Sequence, residues 1–298
     1  MNLNQTKEED EEVQKLIESL PKVPLRNSDF QMIEYQGFYY YDEDEIPILR
    51  NAIAFQRHFA ARDTDIFIIS PAKTGTAWLK CLLFAVVNRV NYPSIDLIPL
   101  HSHHHGDQFV HSIDFLPPTT PSITHLNEIL SPRLLNTDVP FTSLTESIKT
   151  SAFRVSGFYY AKKAKGDDYI PPTLEDCYQD FSEGKFVPGP FFNHVRQYWE
   201  ASTERSDKVL FLQYENLKTE LTVQLKMLAE FIGMSFSSEE ESDGIIQQII
   251  DLCSFEDNKA VKVWEWTKDD QFTPEMSERM ALLMQQKLEP ELFFKLIP

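Results

Sequence analysis

The chain has 298 residues, 42% of them hydrophobic and 22 of them Phe, enough for one large α/β domain or two small ones with a real core. A formal net charge of −18 and a pI near 4.8 argue against general binding of nucleic acid or of an anionic membrane surface, although a local cluster of cations and amides can still hold an anionic ligand. Cys81, Cys177 and Cys253 are odd in number and widely spaced, which is neither a disulfide framework nor a zinc pattern and suits a reduced, cytoplasmic compartment.

Residues 1–20, MNLNQTKEEDEEVQKLIESL, read as an acidic tail, frayed or helical, unlike a secretory signal or a transit peptide. No apolar run in the chain reaches the roughly 18 residues of a spanning helix. Residues 21–26 read as extended. The aromatic run at 35–41, YQGFYYY, is expected as a strand, either beside a substrate pocket or in the core. Residues 46–58 predict a helix with Pro47 in its first turn and Leu49, Ala52 and Ile53 at apolar helical spacing.

Residues 65–90, DIFIISPAKTGTAWLKCLLFAVVNRV, are the unit around which the chain is organised. Ile66, Phe67, Ile68 and Ile69 form the near-continuous apolar run of a strand buried on both faces of a parallel sheet. Pro71 and Gly75 bound a turn, and residues 77–90 supply a helix with a broad apolar surface. Thr74, Gly75 and Thr76 at its start present amides without intrahelical acceptors, a setting that favours an anion, and Lys73 adds charge. An ordinary strand-to-helix turn is the alternative. The nucleoside triphosphatase pattern GxxxxGK[ST] is not met, because Lys73 precedes the only Gly of the loop.

Beyond it, residues 97–115 carry His101, His103, His104, His105 and His111. Their spacing matches no metal template, so a solvated loop is expected and no metal is assigned. A short strand is expected in RLLNTDVP, helices at 173–181 (capped by Thr173) and 191–202, and a buried strand at 208–214. Residues 221–232, 237–253 and 274–288 complete the chain as a helix, a helix pair and a final amphipathic helix.

The loop PAKTGTAWLK resembles the PKSGTTWLK phosphosulfate-binding loop of cytosolic sulfotransferases. YQGFYY, DTDIFIIS, SPRLL, GPFFNHVRQYWEAS, DKVLFLQYENLK, LAEFIGMSFSSEEE and LCSFE resemble the plant branch of that family, from about residue 20 to the C-terminus. The resemblance implies a P-loop-like α/β sulfotransferase fold, a central parallel sheet flanked by helices, with residues 1–20 as a tail and 21–298 as a single domain. It implies transfer of a sulfuryl group from 3'-phosphoadenylyl sulfate (PAPS) to the hydroxyl of a small molecule such as a flavonoid, steroid or hydroxyjasmonate. Neither nucleic acid nor membrane is an expected partner, and the chain is expected as a monomer or weak homodimer. By resemblance Lys73, Thr74, Gly75, Thr76 and Ala77 hold the 5'-phosphosulfate, with Lys73 at the leaving oxygen. Ser156 matches a contact to the 3'-phosphate. Trp78, Tyr214 and Phe255 lie at the adenine, or, for Trp78 and Phe255, simply in the core.

Three departures from the family are visible. Asp138 stands where the family's THLPY segment holds its catalytic His. About a dozen residues, including the Arg of a CRDP turn, are missing after Arg154, and a parallel strand is expected to be lost or shortened with them. The RKG segment that closes on the 3'-phosphate has no counterpart, leaving Lys259, Lys262 and Lys268 as the nearby cations. A second interpretation of these departures is a non-catalytic family member that binds a nucleotide or a partner.

Overall fold

The computed structural model describes residues 3–26, 31–41, 46–70, 75–100, 109–114, 116, 125–150, 153–158, 173–185, 189–254, 273–288 and 290. Helix α1 (Leu3–Ser19) is followed by strands β1 (Lys22–Pro24), β2 (Gln31–Tyr35) and β3 (Phe38–Tyr41), and by helix α2 (Ile46–His58). Strand β4 (Ile66–Ile69) leads to helix α3 (Thr76–Asn88), strands β5 (His111–Ser112) and β6 (Leu134–Thr137), and the short helix α4 (Glu146–Thr150). Next come strand β7 (Phe153–Phe158), helices α5 (Leu174–Ser182) and α6 (Phe191–Glu204), and strand β8 (Val209–Gln213). Helices α7 (Tyr214–Thr219), α8 (Leu221–Phe231), α9 (Ser238–Ser242), α10 (Ile245–Leu252) and α11 (Pro274–Lys287) complete the described elements.

Strands β1, β2 and β3 make a small antiparallel sheet. The YQGFYYY run is therefore a hairpin and not one strand: Gln36 (φ 54°) and Gly37 (φ 79°) turn the chain between β2 and β3. Two consecutive residues at positive φ match the twist of the flanking strands. Helix α1 lays Val13 and Ile17 on this sheet, where they join Ile33, Phe38 and Tyr40 with Leu49 and Ile53 of α2.

The second sheet is parallel throughout, in the order β5-β6-β4-β7-β8. Residues of β4 point alternately to its two faces, as the strand period requires. Ile66 and Ile68 enter a core with Leu82, Leu83 and Val86 of α3, Leu225 and Leu228 of α8, and Ile249 of α10. Phe67 and Ile69 enter a second core with Phe55 of α2, Val195 and Tyr198 of α6, and Leu283 of α11. Helices thus cover both faces, and the continuous apolar run of β4 is the consequence.

The expected loss of a parallel strand is corrected here. Strand β7 spans six residues and bridges β4 and β8, so the sheet has no gap between them. The shortening in the sequence comes after a strand that FRVSGF still provides.

The N-terminal ends of β4 and β6 are tied together by charge. Arg133, wholly buried, donates from Nε to Asp65 Oδ1 (2.7 Å) and from Nη2 to Asp65 Oδ2. Its remaining donors reach the carbonyls of Ala60 (3.0 Å) and Leu126 (3.2 Å) and the Asn127 amide oxygen (3.1 Å). Breaking one side of such a pair leaves an uncompensated buried charge. Asp65→Asn is therefore expected to lower stability by about 3–5 kcal/mol in urea unfolding; a loss under about 1 kcal/mol would show that the guanidinium is held well enough by its carbonyl partners alone.

Candidate active site

Strand β4 runs out at Ile69, and residues 71–74 lie outside those described, among them Lys73 and Thr74. The two sides of that loop are joined: Ser70 Oγ lies 2.6 Å from Thr76 Oγ1, so the strand end and the helix start share a hydrogen bond. The first helical bond of α3 runs from the Leu79 amide to the Gly75 carbonyl (3.1 Å). The amides of Thr76, Ala77 and Trp78 precede that ladder, which makes the mouth of α3 a donor-rich end carrying the positive pole of the helix.

Gly75 is required at this mouth for two reasons. Its φ of +89° belongs to the left-handed region, and a Cβ built on it would meet Tyr214 Cδ2 at 2.8 Å. The Tyr214 ring packs against bare backbone, and Trp78 meets it edge-on at 6.1 Å between centroids. Tyr214 sits at the first residue of α7, just past β8, and not inside a strand. Trp78, only 8% exposed, belongs to the core beneath the sheet. A backbone cradle of amides, closed by an aromatic ring that a Cβ would displace, suits the phosphate end of a nucleotide.

The second half of the site stands at the end of β6. Parallel pairing sets Thr137 level with Ile69, and the Ser70 amide reaches the Thr137 carbonyl at 3.4 Å. Asp138, half-buried, therefore leaves the sheet beside the strand that feeds the cradle. Four hydrogen bonds hold its turn. Thr137 Oγ1 donates to Asp114 Oδ1 (2.8 Å), the Asp138 amide donates to Asp114 Oδ2 (2.7 Å), and the Val139 amide donates to Thr137 Oγ1 (3.1 Å). From α6, the Tyr198 hydroxyl donates to the Val139 carbonyl (3.0 Å).

Asp114 is fully buried, and burial pushes its carboxyl up to about 6, against the opposing pull of the Thr137 hydroxyl, the Asp138 amide and the Lys80 ammonium. No local pattern in the sequence marks it. It lies in FVHSIDF, three residues past His111, in a segment whose histidines suggest a solvated loop, and its contact partners are 23 and 24 residues away in the chain. His111 itself lies in strand β5, half-buried, with its ring pushed down by burial and then by His125. His101, His103, His104 and His105 lie outside the described residues, among which no cluster suited to a metal ion occurs.

Of the remaining expected site residues, Ser156 lies in β7, level with Ile69 at the cradle end of the sheet. Arg154 pairs with Phe67, two residues before that level, so its backbone is about 7 Å short of the cradle edge at the usual strand rise. Phe255, Lys259, Lys262 and Lys268 fall outside the described residues.

A profile of the sulfotransferase domain matches residues 63–290. This chain belongs to the sulfotransferase family. It is 34% identical to cytosolic sulfotransferase 1 of Arabidopsis thaliana over 94% of this chain and 93% of the relative. It is 33% identical to a flavonol sulfotransferase-like protein of Flaveria bidentis, with 86% of this chain and 91% of that one covered. Among solved structures, an Arabidopsis thaliana protein provisionally described as a steroid sulphotransferase superposes with a TM-score of 0.73 at 28% identity, covering 95% of both chains. Retinol dehydratase shares the fold at a TM-score of 0.62 and 16% identity, covering 95% of this chain and 94% of that one. The sulfotransferase is thus an enzyme of the plant cytosolic type, moving a sulfuryl group from PAPS to a small-molecule hydroxyl.

Two outcomes test the cradle. Gly75→Ala is expected to cost about 2 kcal/mol or more in an otherwise unchanged protein. In a Tyr214→Ala background it should cost only the left-handed strain of about 1–2 kcal/mol. Equal costs in both backgrounds would mean that the ring does not enforce the glycine. With Arg154 set back from the edge, calorimetry is expected to show adenosine 3',5'-bisphosphate bound less than about a hundredfold more tightly than adenosine 5'-monophosphate, under roughly 2.7 kcal/mol. A larger preference would mean that other cations grip the 3'-phosphate.

Proposed function

We propose that Asp138 accepts the proton of the acceptor hydroxyl and that Lys73, with the amides of Thr74, Gly75, Thr76 and Ala77, holds the anionic donor. The observation that carries this is the pairing of β4 with β6, which starts the cradle loop and the Asp138 turn from neighbouring strand ends. PAPS supplies the sulfuryl group. Sulfuryl transfer, like phosphoryl transfer, asks the protein for in-line placement, charge stabilisation at the leaving oxygen and a base on the acceptor. Lys73 serves the leaving oxygen, the amides bind and orient the donor, and Asp138 holds the proton at its carboxylate. Ser156, Trp78, Tyr214 and Phe255 are assigned to the nucleoside end, as the family pattern suggests.

For the acceptor we favour a hydroxylated plant metabolite of flavonoid, steroid or hydroxyjasmonate type, supported by the names of the Flaveria and Arabidopsis relatives. The compartment is the cytosol, as for the relatives so named. We take residues 21–298 as one domain, working as a monomer or weak dimer.

Asp138→Asn is expected to lower turnover by about a hundredfold or more, the scale of a lost general base, with little change in affinity for adenosine 3',5'-bisphosphate. Phenols should react faster than aliphatic alcohols, because a carboxylate is a weaker base than an imidazole. A variant that turns over normally would shift the base role away from Asp138. Absence of turnover in the unaltered protein, together with tight nucleotide binding, would favour the non-catalytic interpretation of the three departures.

A further inference from the structure

We propose that Asp114 is a positioning residue for sulfuryl transfer: its buried carboxylate pins the turn that carries Asp138 and raises the basicity of Asp138 through like-charge proximity. The proposal rests on Asp138 as the base.

The geometry is specific. Both oxygens of Asp114 are used, one by the Thr137 hydroxyl at 2.8 Å and the other by the Asp138 amide at 2.7 Å. The carboxylate thereby bridges two consecutive residues at the end of β6. Asp114 is fixed in turn, because Asn51 of α2 donates its side-chain amide to the Asp114 carbonyl (2.8 Å) and to the Leu116 carbonyl (2.5 Å). The Ile113 amide closes the frame on the Asn136 carbonyl (2.9 Å). A helix, a strand end and the base turn are thus joined through one residue.

The same contact fixes a charge. Covalent geometry keeps the carboxyl carbon of Asp138 within about 7 Å of Asp114 Oδ2, whatever rotamer Asp138 adopts. Two carboxylates at that separation, with one of them excluded from water, do not ionise independently, and the second proton comes off at a higher pH than the first. Among the described residues, the charged and titratable groups around the pair include Lys80 from α3, which favours ionised Asp114, and His111 on β5 and His194 on α6, whose rings burial pushes down. Above about pH 6 Asp114 is ionised, so its charge acts on Asp138 under working conditions. An ordinary aspartate is too acidic to be an efficient base near neutrality, and this neighbour offsets that handicap.

Lowering the pH puts the first proton on Asp114, near pH 6, and this removes the charge that makes Asp138 basic, so activity falls through that titration before Asp138 itself is protonated. Asp114→Asn removes the charge and one acceptor. The acid limb of kcat is expected to move down by about one pH unit or more, and the plateau to drop about tenfold or more, with KM for PAPS unchanged. Asp114→Glu keeps the charge and should hold the limb within about half a pH unit of the parent. A fall in kcat with the limb in place would make Asp114 a merely structural support and overturn the proposal.

Carboxyl carbon NMR titration of the unaltered protein tests the coupling without any substitution. Two linked steps are expected for the pair, the upper one at Asp114 and sensed by the Asp138 carboxyl carbon; an Asp138 signal that does not follow the Asp114 step would overturn it. Failure of Asp138 as the base would appear separately, as normal turnover in Asp138→Asn whatever the titration shows.

Discussion

The buried Asp65–Arg133 pair sets the register on which the site depends. It joins the residue before β4 to the residue before β6, at the ends of the strands remote from the cradle. Strand pairing then carries that register forward until Ile69 stands level with Thr137. A slip of β6 by one residue would move Asp138 by about 3.3 Å along the sheet and send Leu134 and Leu135 to the wrong cores. A buried ion pair adds little net stability over a well-packed apolar substitute, so its use here lies in specifying one arrangement. Phe59, with its ring centroid 4.8 Å from the guanidinium carbon, completes a site shaped for a planar cation rather than for an ammonium.

The sheet consequently has two unlike ends. The N-terminal end is closed by charge pairing among buried groups. At the C-terminal end, the mouth of α3 offers amides and the end of β6 offers carboxylates. This division explains how a chain of net charge −18 can hold an anionic donor. Surface carboxylates more than about 8 Å away are screened by salt, whereas amides at a helix start act at contact. It also separates the two roles in space, because the positive pole and the basic carboxylates start from adjacent strands and converge on one edge.

Much of this is legible in the sequence, and the legible parts share a cause. Strand β4 and helices α2, α3, α5 and α11 announce themselves by local pattern: an unbroken apolar run, apolar residues at helical spacing, or a Thr at the cap. Thr173 makes the expected cap and completes it as a capping box with Asp176. The family loop marks Gly75, although its need for bare backbone arises from Tyr214, far along the chain on the other side of β8. Where the sequence misleads, a gap in resemblance imitates a gap in structure. FRVSGF makes β7 because β4 and β8 each need a partner, not because the flanking text matches a pattern. Asp114 is illegible because nothing local marks it. An acidic residue behind a row of histidines looks solvated until the fold brings Thr137 and Asp138 onto its two oxygens.

A histidine at the site would offer a simpler base, and the structure shows why neither His111 nor His194 serves. His194 on α6 lies close to the Asp138 turn, near the Val139 backbone and edge-on to Tyr198 at 5.2 Å. Yet it is wholly enclosed, with the Phe38 ring 6.0 Å away, and burial pushes its titration down to about 4. A ring in that position is neutral at any working pH and has no path to an acceptor oxygen. His111 pairs with β6 from β5, and burial pushes its titration down, which weakens the ring as a base. Among the described groups at the turn, the titration that matters near neutrality therefore belongs to the carboxylates. The lowered proton affinity of these two rings works in the same direction as Asp114. An imidazolium close to Asp138 would make it more acidic and undo the like-charge effect, whereas neutral rings leave the carboxylate pair to set its own proton affinity.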